Sequence, residues 1–203
     1  DLADINNDGL LDLFTCDMKP RDHEILMRSI SNVSYANYQL KHNLGFHDQF
    51  PRNMLQINQG NLFGNYASFS ELGEFYGVEA TDWSWGSLIA DFDLNGDKDI
   101  FITNGIPRQP NDLDYVKYMS DSVYKADSVD FNLVLAKIPS GKAKNIAFRN
   151  LGSGFEEVSA QWGLDLLGCS NGAAYADLDN DGDLDLVINN LNEKASVYRN
   201  TIP

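Results

Sequence analysis

Short apolar runs, each bounded by Asp, Asn and Gly, set the pattern of this chain. Leu13-Phe-Thr15, Ile100-Phe-Ile-Thr103 and Leu186-Val-Ile188 each follow an acidic cluster, and Ser87-Leu-Ile-Ala90 and Ala173-Ala-Tyr-Ala176 each lead into one. Runs so short, rich in β-branched residues and bounded by turn formers, predict buried strands. Helical spacing is confined to longer connecting stretches. Asp22-His-Glu-Ile-Leu-Met-Arg-Ser-Ile30 and Asp112-Leu-Asp-Tyr-Val-Lys-Tyr-Met119 each place an Asp where it caps a first turn, and a third helix is expected near 130–137, ending before Pro139.

The acidic clusters are three copies of one sentence, D-x-[DN]-x-[DN]-G-x-x-D. They begin at Asp4, Asp91 and Asp177, steps of 87 and 86 residues. Oxygen donors recur at positions 1, 3, 5 and 9: Asp4, Asn6, Asp8 and Asp12; Asp91, Asp93, Asn95 and Asp99; Asp177, Asp179, Asp181 and Asp185. The carbonyls of Leu10, Asp97 and Asp183 at position 7 complete a shell of the kind Ca²⁺ takes, with about 6–8 oxygens. A Gly at position 6 (Gly9, Gly96, Gly182) lets the backbone fold both halves of the loop around an ion. Acidic Asx turns on a solvated surface account for one Asp-Gly turn, but not for acids at the same places three times.

The EF-hand starts the same way but requires a bidentate Glu at position 12 and a helix on each side. Position 12 is Thr15, Ile102 and Ile188, and strands flank each loop. Around the loops a longer unit repeats. Asn53-Met-Leu-Gln-Ile-Asn58 matches Asn145-Ile-Ala-Phe-Arg-Asn150, and Ser196-Val-Tyr-Arg-Asn200 begins another copy; Phe69-Ser-Glu71 matches Phe155-Glu-Glu157. The unit reads strand, turn, short strand, turn, strand, acidic loop, strand. Four short strands per unit predict a propeller blade. A blade of about 50 residues leaves the long steps to be filled by insertions, over about 18–52 and 106–144, expected to share one rim.

Net charge is −15 and no basic stripe faces phosphates, which excludes nucleic-acid recognition. Three Ca²⁺ would reduce that charge to about −9, so much of the acidity belongs to the loops. Without metal, each loop crowds like charges together, which couples folding to calcium. No run of about 20 apolar residues crosses a membrane. Cys16 and Cys169 read as small buried thiols rather than a disulfide pair. Few disulfides favour the cytosol, but open calcium loops of about 10⁻⁴–10⁻³ M affinity favour the outside of a cell. The chain opens on Asp1 inside one repeat and stops inside another, as a segment of a longer protein would.

Gly172-Ala-Ala-Tyr-Ala-Asp177 through Asn189, Thr81-Asp-Trp-Ser-Trp85-Gly and Val197-Tyr-Arg-Asn200 carry a family likeness over nearly the whole chain. The chain resembles the FG-GAP/VCBS repeat proteins, and among them the cartilage-acidic-protein-like group of Bacteroidetes surface proteins. That resemblance implies a mainly β fold, a seven-bladed integrin-α-like propeller of which 1–203 would supply roughly three blades. It also implies a structural Ca²⁺ in each acidic loop and export to the cell surface, outer membrane or periplasm.

Candidate chemistry outside the loops is sparse. His23, His42 and His47 fit no metal-ligand spacing, and no nucleophile elbow or phosphate loop is present. Trp83 and Trp85 either pack a core or offer a ligand platform, and Asn32-Val-Ser34 fits a glycan acceptor. The expected function is therefore a non-catalytic, calcium-binding propeller segment that binds protein or glycan through its insertions. The remaining blades of the parent chain would be a further partner. The rival expectation is a propeller scaffold of a carbohydrate-active enzyme such as a polysaccharide lyase.

Overall fold

A computed structural model describes residues 1–29, 34–62, 64, 66–126 and 128–201. The fold is mainly β. Strands β1 (Leu2–Ala3), β2 (Asp12–Thr15), β4 (Met54–Asn58) and β5 (Phe69–Glu71) form the first antiparallel sheet, in the order β1-β2-β4-β5. Strand β3 (Met18–Lys19) leaves it to join the second sheet, ordered β10-β9-β7-β6-β3. That sheet uses β6 (Asp82–Ala90), β7 (Asp99–Asn104), β9 (Ile146–Asn150) and β10 (Phe155–Glu157). A short ladder pairs β8 (Ala143–Lys144) with β11 (Leu167–Gly168). The third sheet, β12-β13-β14, contains Ser170–Ala176, Asp185–Asn190 and Ser196–Tyr198.

The three sheets stack face to face. Ile100, Ile102, Ile146 and Phe148 of the middle sheet pack with Phe14, Leu55 and Ile57 of the first. Phe101 and Ala147, pointing the other way, pack with Leu186 and Ile188 of the third. Because both faces of the middle sheet are covered, every residue of β7 is buried, and the run Ile100-Phe-Ile102 is continuously apolar instead of alternating.

The expected four-strand unit ran β4, β5, β6, β7, and here the structure differs. Strands β6 and β7 share a sheet with β9 and β10, while β4 and β5 belong to the preceding sheet. The cause is a pair of asparagine clamps at the bases of the insertions. Asn145 Oδ1 accepts the Asn104 N–H at 3.0 Å, and Asn53 Oδ1 accepts the Asp17 N–H at 2.9 Å. Each clamp draws the two stems of an insertion together, so the strand after the insertion pairs with the strand before it. After β5 the chain crosses to the next sheet through a helical turn at Gly73–Tyr76.

The insertions hold the helices. α1 (His23–Arg28) and α2 (Tyr35–Asn43) lie in the first insertion; α3 (Gly73–Tyr76) is the crossing turn; α4 (Leu113–Tyr118) and α5 (Phe131–Ala136) lie in the second. The Asp caps fall where expected: Asp22 Oδ1 accepts from Glu24 and Ile25, Asp112 Oδ1 from Asp114 and Tyr115, and Asp130 Oδ1 from Asn132. The two insertions touch, with Arg28 reaching Asp112 at 3.0 Å and Asp114 at 3.1 Å. Asp112 is buried and holds both a helix cap and this contact. Asp112→Ala is expected to cost about 1–2 kcal/mol, as cap losses do, felt mostly in the second insertion. Hydrogen exchange over 113–123 should speed up while β7 and β9 stay protected; uniform loss across the chain would contradict this.

Candidate metal centre

The three acidic loops adopt one conformation. Position 4 is left-handed in each (Asn7, φ 59°; Leu94, φ 56°; Asn180, φ 62°), as is the Gly at position 6. A left-handed Leu costs roughly 1–2 kcal/mol, so the loop geometry prevails over residue preference at Leu94. The position-1 carboxylate gathers the turn. Asp4 accepts the N–H groups of Asp8 (3.0 Å) and Gly9 (2.8 Å), and Asp91 those of Asn95 (3.0 Å) and Gly96 (2.9 Å). Asp177 accepts from Asn180 at 2.6 Å and Gly182 at 3.2 Å.

Position 9 does something different. Asp12, Asp99 and Asp185 are buried, and each uses both carboxylate oxygens on backbone. One oxygen accepts the N–H of position 2 (Ile5, Phe92, Leu178), at 2.9–3.0 Å. The other accepts the N–H of an asparagine ending the partner strand (Asn58, Asn150) or following it (Asn200), at 2.8 Å each time. These acids close the loop and fix the strand register as well as offering a lone pair inward. Burial pushes the Asp99 carboxyl up to about 6, against the two backbone N–H groups that lower it, and nearby Asp93 and Asp91 add to the rise.

The residues suit a hard cation to different degrees. In the second loop, oxygens of Asp91, Asp93 and Asp99 all lie within 4.8 Å of one another, and so do those of Asp177, Asp179 and Asp181 in the third. The buried Asp183 Oδ1, at position 7 of the third loop, has no hydrogen-bond partner. Oxygen-only donors and an unpartnered buried carboxylate oxygen are what a divalent ion would satisfy. In the first loop Asn6 Nδ2 donates to Asp8 at 2.9 Å, and no group of three acids gathers among the described residues there. Leu10 and Asn95 are exposed, whereas Asp97 sits partly shielded beside the neighbouring elements. The carbonyl of Gly96 and the Asp97 carboxylate receive the Asn7 side-chain amide, which joins the first loop to the second.

Two sets of functional residues escape the motif. Arg149 Nε meets Asp93 at 2.5 Å, and Arg199 meets Asp179 at 2.6 Å and Asp181 at 3.3 Å. In the first copy the same positions carry Asn6 and Ile57, so acid and arginine come and go together between repeats. The terminal asparagines are the second set. Asn150 Nδ2 donates to Ile5 O (3.0 Å) and Lys98 O (3.1 Å), tying the first loop to the second. Asn200 Nδ2 likewise donates to Phe92 O (2.8 Å) and Leu184 O (3.4 Å), tying the second loop to the third. Their recurrence in the sequence was the available signal.

The three histidines are exposed, and neither acidic group includes one. Trp85 is exposed with its Nε1–H donated to Gly105 O at 2.7 Å, and a bulge between Ser84 and Gly86 interrupts the alternation that would pair it with Trp83. Cys16 and Cys169 are free thiols. Asn32 and Val33 of the glycan-acceptor triplet lie outside the described residues. No helix among the described residues is long and apolar enough to cross a membrane. Fold and site together define a mainly β protein with acidic clusters able to hold a metal ion. No protein-family model matches the chain, and no curated protein matches it.

Proposed function

We propose that this chain is a calcium-stapled segment of a β-propeller, part of an exported cell-surface protein, and that it works by binding rather than catalysis. The observation that carries the reading is the threefold loop. Three copies share the left-handed turn, the position-1 carboxylate cradle and the buried position-9 clamp, and each copy closes a strand hairpin. Calcium fits the all-oxygen donor set and the outward-facing turn, and free Ca²⁺ near 10⁻³ M outside cells would keep such loops filled. Short antiparallel sheets packed face to face and staples between successive loops are the parts a propeller repeats around its axis. The paired insertions then form a rim free to meet a protein or glycan.

Metal analysis after exhaustive dialysis against 1 mM calcium tests the staple, with two to three Ca²⁺ per chain expected and none overturning it. Arg199 offers a finer check, because its guanidinium neutralises Asp179 and Asp181. Arg199→Ala is expected to tighten calcium at the third loop about two- to tenfold while lowering the melting temperature of the metal-free chain. Calorimetric titration that finds weaker calcium binding in this variant would assign Arg199 a supporting place in the loaded site instead.

A further inference from the structure

We propose that a cleft of about 390 Å³ between the first insertion, β6 and the second insertion binds a neutral saccharide. This deepens the binding reading above and rests on it. The cleft is walled by Trp83 and lined by Arg21, Asp82, Gln109, Lys142 and Glu157, which come from five separate stretches of chain. Its volume falls in the roughly 300–1,000 Å³ range of small-molecule sites.

Three hydrogen-bonding groups in it are unspent. Among the described residues, the Trp83 indole N–H has no acceptor, unlike that of Trp85, and the half-buried Gln109 side-chain amide has no partner. Asp82 uses one oxygen, Oδ1, to accept the Arg21 N–H at 3.2 Å, and its other oxygen has no partner among them. Asp82 also sits in the left-handed region at φ 68°, a conformation that a non-glycine residue keeps only where its surroundings enforce it. Donor, acceptor and amide together match the hydroxyl groups of a sugar, which both donate and accept, and the indole matches its apolar ring face.

Charge selects the neutral class. Arg21 pairs with Glu157, Lys142 with Glu193 at 2.6 Å, and Lys144 with Asp165 at 2.9 Å. Every cation at the cleft is thus already matched, and the carboxylates without a cation are Asp82 and the helix-capping Asp22. A uronate or sulfated sugar would bring a further anion to a place with no cation to receive it.

The test uses the 203-residue chain loaded with calcium. Calorimetry and tryptophan fluorescence would be run with gluco-, manno- and xylo-configured tetrasaccharides, a galacturonate tetrasaccharide and an extended tetrapeptide. At least one neutral tetrasaccharide is expected to bind and to shift the tryptophan emission. Gln109→Ala should weaken it about fivefold, the worth of one hydrogen bond, and Trp83→Ala about tenfold or more. Gln109 is a surface-reaching side chain, so that variant keeps its fold even where Trp83→Ala does not. Binding by none of the neutral sugars, preference for the galacturonate or the peptide, or an unchanged affinity in Gln109→Ala overturns the proposal. The two readings fail separately: missing calcium with sugar binding intact sinks the staple, whereas a calcium-loaded chain that binds no sugar sinks the cleft.

Discussion

Stripping calcium with EGTA is expected to lower the melting temperature of this chain by about 10–20 °C. A ligand held only by the native state adds about 2.7 kcal/mol per site at a hundredfold excess over its Kd, which about 10 mM calcium supplies for loops of about 10⁻⁴ M affinity. Two such loops contribute about 5 kcal/mol, and each kcal/mol moves the melting point of a domain this size by about 2–4 °C. The position in the loop decides how a substitution behaves. Asp179, at position 3, meets Arg199 and the like charge of Asp181 at the surface and no backbone group, so Asp179→Ala should lower the melting point with calcium and leave it nearly unchanged in EGTA. Asp99 clamps the N–H groups of Phe92 and Asn150 inside the core. Asp99→Ala strands both, at about 1–3 kcal/mol for each buried group, and should destabilise with or without calcium. Calorimetric scans of the two variants in both buffers check this, and a melting point that ignores EGTA in the parent chain removes the calcium assignment.

The contrast between those two acids also marks how far the sequence could be read. Strand runs such as Ile100-Phe-Ile-Thr103 and the capping residues Asp22 and Asp112 are local statements, and the structure has them where spacing put them. The loop pattern named candidate oxygens but treated position 9 like position 3, because a motif records residue type and not burial. Sheet partnership was out of reach for a different reason. Strand β7 lies closest in sequence to β6 and α4, yet its second partner β9 follows a whole insertion, and Asn145 brings it there through one side-chain bond to Asn104. Likewise the cleft residues Arg21, Asp82 and Gln109 share no period, so only packing unites them.

The joint between successive loops carries the second large effect, and it hangs on Asn150. Its Nδ2 spans Ile5 O and Lys98 O, its Oδ1 accepts the Gly152 N–H at 2.9 Å, and its backbone N–H meets Asp99. Asn150→Ala leaves two carbonyls without a donor, at a residue only 4% exposed. At about 1–3 kcal/mol per stranded group, the loss is about 2–6 kcal/mol, or roughly 4–24 °C. Asn58 supplies its own comparison, because its amide bonds only Leu11 O, at 3.1 Å and near solvent. Asn58→Ala should therefore cost about 1 kcal/mol or less beyond the loss of its turn contact. Asn150→Asp separates shape from hydrogen bonding: it keeps the volume but turns the donor into a carboxylate facing two carbonyls and Asp99, and should be at least as damaging as Asn150→Ala. Chemical denaturation of the three variants measures the order. Equal losses at Asn58 and Asn150 would mean that the asparagine serves its own sheet alone and that the loops are not stapled to one another.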